Sequence, residues 1–521
     1  MKKYHYLSKI IAVVFAAFML SGCDDYLKET SPDLLIPEKV EEFQSILNGE
    51  GYLFTYTGNH VNTFANDADF VQLMTDDMEI LTTSDPRNSL VDEDDLSALQ
   101  QGKGAFTWAQ DIEYYDVSYN GFYNRRYTNI MACNLVIENA ETMKGDRDKV
   151  ASCVAQAYTL RALCYFYLVN LYGKPYNAAT AATDPGVVLR LKSEIVRDQP
   201  ARNTVKEVYD QINSDLDKAL EYWKEGAVSR SKYLVSERAT QLIKSRVALF
   251  TGDWDIAIEY GTKLSDGNYD LYNIGKIPSS ELRMWDAQED FIFINPNNNT
   301  EIIFTFGRPD YSSNKFISWA KLAAGTAFCV SQSGEGDLLP LYKEGDQRLY
   351  AFFLQPVTDS SGEYYDYRFT PYKHYSSKYH STALRTSEAL LNAAEAYVQK
   401  GSDADKNAAV KLLNQLRKNR FTAETYKELA AADFASIADL LQFVRDERRR
   451  ELCFEEIHRW ADLRRYGCPS LKHVFYASKN SSPEVYVLEQ NDQNYTLELP
   501  QSELDYNSVI EPISRRAILP Q

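Results

Sequence analysis

Seven segments of this chain carry apolar residues at helical spacing, and this periodicity constrains the possible folds more than any other feature of the sequence. The segments are residues 123–143, 151–173, 204–223, 236–252, 253–264, 383–401 and 405–420. Polar stretches separate neighbouring segments, so we expect consecutive segments to form helical hairpins. Small residues such as Ala248 and Ala257 occur where helices would approach closely. Repeated hairpins of this kind are typical of tetratricopeptide-like scaffolds.

Two regions without helical periodicity interrupt this pattern. Residues 268–382 contain short β-type runs and many Asn, Ser, Gly and Tyr, and residues 52–122 are similar. Loops on a rigid scaffold often carry binding residues, so we expect a ligand at these irregular regions. The sequence thus predicts helical repeats at about 123–265 and 383–465, and irregular, loop-rich regions at about 52–122 and 268–382.

The first 22 residues have the properties of a signal peptide. Three lysines precede the apolar run "IIAVVFAAFML", which is too short to cross a bilayer. The following "LSGC" resembles a bacterial lipobox, in which the cysteine is acylated and becomes the first residue of the mature protein. Cys23 is therefore the expected lipid anchor, and residues 23–521 the mature chain. An ordinary signal peptide followed by an incidental cysteine is the alternative.

Charge and cysteine content narrow the class of protein. The formal charge is -18, and loss of Lys2, Lys3 and Lys9 with the signal peptide makes it -21, which argues against nucleic acid as a partner. Six cysteines remain, without the paired spacing of a metal site or the density of a disulfide scaffold. We expect them to be buried thiols.

The common catalytic motifs do not occur in the sequence. It contains no HExxH, GxSxG, Walker A or complete GxGxxG motif, and His374 and His380 lack a neighbouring carboxylate. Acid pairs such as Asp76 and Asp77 are compatible with a glycoside hydrolase, but such an enzyme needs two acids that the fold places across a sugar. We therefore predict a protein without catalytic residues, metal or cofactor.

The densest charged motif is "RDERRRELCFEEIHRWADLRRYG", residues 445–467. Glu451, Glu455 and Arg459 follow one another at four-residue spacing. On one continuous helix these acids and arginines would therefore lie on the same face. Phe454, Ile457, Trp460 and Leu463 would form an apolar stripe on that helix. The pattern predicts an ion-pair network; an anion or substrate site around the arginines is the alternative.

Several motifs in order resemble those of the SusD/RagB family of Bacteroidetes outer-membrane nutrient-binding lipoproteins. They are the lipobox cysteine followed by acids, "LRALCYFYLVNLYGKPY", "LRTSEALLNAAEAYVQKG", "ERRRELCFEEIHRWADLRRYG" and "LPQSELDYN". The resemblance implies one mainly α domain in which four tetratricopeptide-like helix pairs support an irregular ligand-binding face. It also implies a SusC-like TonB-dependent outer-membrane transporter as partner, with the lipid-anchored protein facing the cell exterior.

The chain departs from the family pattern at two places. Glu456 stands where family members often have glycine after "FE", and the end of the chain lacks the Asn-rich closing pattern of many members. We expect the first departure to change local packing and neither departure to touch the ligand-binding face.

The leading functional hypothesis is a non-catalytic protein that binds oligosaccharide. Sugar rings lie flat on aromatic faces, and polar side chains bind their hydroxyl groups. Three of the six tryptophans, Trp223, Trp254 and Trp460, are expected to be structural. The predicted ligand-binding residues lie in the irregular regions and are Trp108, Trp285, Trp319, Asp111, Tyr114 and Tyr115.

Two other hypotheses remain open. A peptide ligand would be bound through backbone hydrogen bonds and apolar pockets rather than aromatic stacking. A purely structural envelope scaffold would bind no ligand. For each tryptophan, core filling beneath long loops is the alternative to ligand binding.

Overall fold

The computed structural model describes fourteen stretches of the chain. They are residues 37–57, 60–80, 95–115, 119–194, 197–227, 231–265, 271–282, 293–307, 328–354, 357–358, 364–366, 369–371, 379–477 and 481–521. Cys23, Trp285, Trp319 and His374 lie outside them.

Helices make up most of the described structure. In chain order they are α1 Val40–Ile46, α2 Phe64–Leu73, α3 Asp95–Phe106, α4 Tyr119–Glu138, α5 Arg147–Tyr172, α6 Val205–Trp223, α7 Glu237–Thr251, α8 Trp254–Lys263, α9 Ser279–Leu282, α10 Arg348–Ala351, α11 Thr386–Lys400, α12 Asp403–Arg417, α13 Ile437–Leu452, α14 His458–Arg465 and α15 Gln501–Tyr506. Leu47–Gly51 forms a π-helical turn after α1, and none of the helices in the described residues has the length and apolar character needed to cross a membrane.

The strands are short and pair two by two. They are β1 Phe54–Thr57, β2 His60–Thr63, β3 Met78–Ile80, β4 Ile302–Phe306, β5 Phe328–Val330, β6 Phe353–Leu354, β7 Val357–Thr358, β8 Tyr364–Asp366, β9 Thr370–Pro371, β10 Thr382–Arg385, β11 Leu471–Phe475 and β12 Glu484–Leu488. The antiparallel pairs are β1 with β2, β3 with β5, β4 with β10, β6 with β9, β7 with β8 and β11 with β12. Strands β4 to β9 confirm the short strands expected between the helical repeats.

The predicted mainly α, tetratricopeptide-like fold is confirmed. Helix α4 packs on α5, α6 on α7, α8 on α11, and α12 and α13 both on α11. The third pair is therefore α8 with α11, although more than one hundred residues separate them in sequence. The predicted hairpin of segments 383–401 and 405–420 is confirmed, because α11 also packs on α12.

Small residues permit the close approach of α8 and α11. A side chain at Gly261 would place its Cβ 2.7 Å from the Ala389 carbonyl oxygen and 2.9 Å from the Ala393 Cβ. Ala248 and Ala257 are buried in one small apolar cluster with Ala396. These contacts confirm the prediction that small residues lie where the helices meet.

The charged motif does not form one continuous helix. α13 ends at Leu452 and α14 starts at His458, and Phe454 and Glu456 in the turn between them have φ values of 59° and 48°. Helical spacing therefore fails across the turn, and Arg459 pairs with Asp76 (2.6 Å) rather than with Glu455. This corrects the expected pairing, because the turn redirects the α14 side chains toward the α2–β3 segment.

The predicted ion-pair network is nevertheless confirmed, and it is buried. Arg385 pairs with Glu301, Glu451 and Glu455, and Arg420 pairs with Glu301 and Glu451 at 2.8–3.0 Å. Glu451 is fully buried, and the arginines around it hold the pKa of its carboxyl well below the ordinary value although burial alone would raise it. The network joins α13 to β4 and β10, so it fixes the helical stack to the irregular region. All six described cysteines are buried free thiols, as predicted.

Candidate functional site

Trp108 supports the candidate site from inside the protein. Its side chain is fully buried, its indole ring is stacked on His473 with the ring centroids 4.3 Å apart, and its Nε1 donates to the Met74 carbonyl oxygen at 2.8 Å. The structure therefore corrects the expectation that Trp108 stacks on a ligand, because neither face of the ring reaches the surface. Trp223 and Trp460 are buried and Trp254 packs against an apolar cluster, as expected.

The segment after Trp108 turns outward and exposes a tyrosine. Trp108 itself has a φ of 50°, and its carbonyl oxygen accepts a hydrogen bond from Asn494 Nδ2 at 2.9 Å. Asp111 Oδ1 then accepts from the Tyr114 backbone N–H at 2.9 Å, which closes a local turn. The Tyr114 side chain is 79% exposed and meets Tyr115 edge to face, with ring centroids 5.2 Å apart. Three of the predicted site residues, Asp111, Tyr114 and Tyr115, thus lie together.

A surface groove of about 860 Å³, which we call groove A, lies beside this turn. It is lined by Gln110, Asp111, Ile112, Glu113, Tyr114, Glu498, Leu499, Gln501, Leu504, Pro512, Ile513, Ser514 and Arg515. Carboxylates, amides and a hydroxyl thus line the groove together with an exposed aromatic ring. This mixture suits a ligand that offers flat apolar faces and many hydroxyl groups.

The C-terminal segment forms the opposite side of groove A and is held in place by hydrogen bonds. Glu498 Oε1 accepts from the backbone N–H groups of Leu499 (3.1 Å) and Ile513 (3.2 Å), and burial raises the pKa of its carboxyl above the ordinary value. Arg515 Nη2 donates to the Ala109 carbonyl oxygen at 2.8 Å. The two sides of the groove are therefore tied to each other.

Sequence reasoning missed this C-terminal side of the groove. The atypical end of the chain was expected not to touch the ligand-binding face, but Pro512–Arg515 line the groove. The sequence after residue 507 lacks helical periodicity and contains Pro512 and polar residues, which indicates an irregular surface segment. The same pattern led to the prediction of an irregular region at residues 52–122.

One group of buried side chains has the geometry of a metal site. Glu388, Glu456 and His458 bring ligand atoms within 4.8 Å of one another. The Arg246 guanidinium already lies between the two carboxylates, with Nε 2.6 Å from Glu388 and Nη1 2.7 Å from Glu456. A cation there would be repelled by that charge, so the cluster is an ion-pair site of the interior.

Two family models and one curated relative match the sequence of this chain. A family model described as "Starch-binding associating with outer membrane" matches residues 25–249, and a model of the SusD family matches residues 352–518. The chain is 25% identical to SusD-like protein P2 of Formosa agariphila, over 98% of this chain and 99% of that protein.

Solved structures show the same fold. A putative sugar binding protein from Bacteroides vulgatus superposes with a TM-score of 0.65 at 21% identity, over 92% of this chain and 99% of that one. A SusD superfamily protein from Bacteroides thetaiotaomicron gives 0.66 at 20% identity, over 92% and 100% of the two chains. A surface glycan-binding protein A from Bacteroides fluxus gives 0.56 at 18% identity, over 90% and 96%.

Proposed function

The chain belongs to the SusD family, and from that premise we propose that it is a surface-exposed lipoprotein that binds oligosaccharide for import. The family models and the sugar-binding and glycan-binding neighbours support a carbohydrate-binding role and association with the outer membrane. The further steps of the proposal are its lipid anchor, its ligand site and its transporter.

The anchor in this proposal is Cys23. It directly follows a signal peptide at residues 1–22, and residues 23–521 then form one domain outside the membrane. By resemblance, Asp24 and Asp25 act as the signal for export to the cell surface. Replacing Cys23 by Ala should release the protein from the membrane fraction, and lipid labelling that persists in this variant would contradict the anchor.

Groove A is the proposed oligosaccharide site, and the exposed ring of Tyr114 at its edge is the observation that carries this assignment. A tyrosine that is 79% exposed, on a turn closed by Asp111, offers a flat apolar surface that protein does not cover. Gln110 and Gln501 line the same groove, and their amide groups supply donors for sugar hydroxyl groups. Trp285 and Trp319 remain proposed contributors from the irregular region.

We propose a SusC-like TonB-dependent transporter as the partner that receives the ligand. The protein acts by binding and carries out no bond-breaking step in this scheme. Ligand captured in groove A is held at the cell surface until the transporter takes it up.

Binding calorimetry against a broad oligosaccharide panel tests this function. We expect Tyr114→Ala to raise the dissociation constant about 2- to 10-fold, since a stacking contact contributes roughly 0.5 to 1.5 kcal/mol. The melting temperature should stay unchanged because the ring is exposed. Tyr233→Ala is the matched control, since Tyr233 is 43% exposed and does not line groove A.

The outcomes separate the hypotheses. Equal binding by wild type and Tyr114→Ala would remove groove A as the site. Saturable binding of peptides in place of oligosaccharides would favour the peptide receptor, and binding of neither would leave the envelope scaffold.

A further inference from the structure

Helix α15, Gln501–Tyr506, is a narrow ridge between two grooves. Gln501 and Leu504 line groove A, whereas Glu503 and Tyr506 line a second concavity of about 240 Å³ on the other side, which we call groove B. Side chains three residues apart share one face of a helix, so the two pairs point to opposite sides of α15. A helix with its side chains is about 10–12 Å across, so only that width separates the grooves.

One wall of groove B is an aromatic stripe along α4. Tyr123, Tyr127 and Met131 follow one another at four-residue spacing and so share one face of that helix. The rings of Tyr123 and Tyr127 have centroids 4.8 Å apart, and Tyr127 Oη donates to the Val188 carbonyl oxygen at 2.8 Å. These contacts hold the wall in one conformation before any ligand binds.

The opposite wall carries polar groups that are free to bind a ligand. Tyr506 is 50% exposed, and in the described part of the chain neither its hydroxyl group nor the Glu503 carboxylate forms a hydrogen bond or ion pair. The cations at the rim are already paired, Arg190 with Asp198 and Lys192 with Glu138. Within the described residues, the unpaired polar groups that line groove B are therefore the Tyr506 hydroxyl and the carboxylates of Glu503 and Glu194.

We propose that groove B is a second carbohydrate subsite, which binds a further ring of the oligosaccharide that lies in groove A and crosses α15. Its volume is below the roughly 300 Å³ at which pockets for drug-sized ligands begin, which suits a single sugar ring. The half-exposed Tyr506 ring and the partly exposed Tyr127 ring accept the apolar face of that sugar ring, while the Glu503 carboxylate and the Tyr506 hydroxyl bind its hydroxyl groups. This inference rests on the proposed function, and it makes affinity depend on the length of the glycan.

Two variants in groove B and one control on the same helix test the subsite. Tyr506→Ala removes the exposed ring, Glu503→Gln removes the charge, and Ser502→Ala changes an exposed residue that lines neither groove. The probes are a printed array of plant, algal and animal glycans and solution series of malto-, laminari- and xylo-oligosaccharides from disaccharide to octasaccharide. Full-length protein in detergent is used throughout, and melting curves verify that each variant is folded.

We expect Tyr506→Ala to weaken binding of the longer glycans about 2- to 10-fold and to leave binding of the shortest bound member of the same series unchanged. Glu503→Gln should act in the same direction, Ser502→Ala should match wild type, and Tyr114→Ala should weaken binding at every length. If Tyr114→Ala weakens binding while Tyr506→Ala and Glu503→Gln match wild type at all lengths, the subsite is overturned and the proposed function stands. Equal losses at all lengths in Tyr506→Ala also overturn it. If the wild-type protein binds no glycan of any series, both fall together.

Discussion

The charged motif at residues 445–467 and the turn at residues 110–115 are both polar, but the structure uses them in opposite ways. Glu451 is fully buried and contacts Arg348, Arg385 and Arg420, so its charge is neutralised within the protein. Tyr114 lies 79% exposed beside groove A. Polar groups that are satisfied internally hold the scaffold together, whereas polar and aromatic groups left at the surface can bind a ligand.

This difference predicts which substitutions change stability and which change binding. A buried ion pair need not be more stable than an apolar contact of similar shape, but a charge that loses its partner inside the protein is strongly destabilising. At the surface, water replaces a lost partner at little cost. Substitutions in the network should therefore lower the free energy of unfolding, and substitutions in groove A should lower affinity.

The largest effect is expected for Glu451→Ala. Three arginines lose a shared partner at once, so we expect the free energy of unfolding to fall by about 3 to 5 kcal/mol or more. Urea unfolding followed by circular dichroism measures this change. Glu489→Ala is the control, because Glu489 is exposed and forms no ion pair within the described residues. A Glu451→Ala protein that unfolds like wild type but has lost glycan affinity would reverse the division between scaffold and site.

Sequence periodicity could predict the scaffold but not the turn inside the charged motif. The helices around Ala248 and Ala257 were predictable, because local spacing and small residues determine how they stack. The pairing of Arg459 with Asp76 was not, because it depends on the positive φ values at Phe454 and Glu456 and on a partner nearly four hundred residues away.

The sequence likewise predicted only part of the candidate site. An exposed tyrosine in the irregular "QDIEYYD" segment could be found from the lack of periodicity, and Tyr114 confirms that the segment reaches the surface. The burial of Trp108 against His473 could not be predicted, because His473 lies in β11 and is distant from Trp108 in sequence. Burial of a tryptophan depends on such tertiary neighbours rather than on its local pattern.

A second prediction concerns Glu456, at the position where the resemblance to the SusD/RagB family implies a glycine. Its φ of 48° is unfavourable for a side chain, but its carboxylate contacts Arg246 at 2.7 Å and accepts from Tyr167 Oη at 2.5 Å. We expect Glu456→Ala to destabilise the protein by about 3 kcal/mol, since it removes one of the two carboxylates that pair with the buried Arg246. Glu456→Gly should lose about 1 kcal/mol less, because glycine relieves the backbone strain.

Urea unfolding of Glu456→Ala and Glu456→Gly shows which variant has the lower free energy of unfolding. Glu456→Gln serves as a control that keeps the hydrogen-bonding shape without the charge. Glycan affinity should be the same in every variant that remains folded. If Glu456→Gly were less stable than Glu456→Ala, backbone strain at this position would not contribute to the difference in stability between the two variants.

The smallest expected effect lies in the turn that presents Tyr114. This test distinguishes a residue that holds the Tyr114 turn in place from a residue that contacts the ligand directly. Asp111→Ala removes the acceptor of the Tyr114 N–H, a hydrogen bond with a net contribution of about 0.5 to 1.5 kcal/mol, whereas Asp111→Asn keeps an oxygen in the same place. If Asp111 acts by holding the turn, amide exchange in the 108–115 segment, followed by mass spectrometry, should speed up in Asp111→Ala alone. Affinity should then fall about 2-fold in Asp111→Ala and stay near wild type in Asp111→Asn, and the free energy of unfolding should fall by no more than about 1.5 kcal/mol in Asp111→Ala. Equal losses of affinity in both variants, with unchanged exchange, would mean that the Asp111 carboxylate contacts the ligand directly and that its charge, rather than the turn, is what groove A requires.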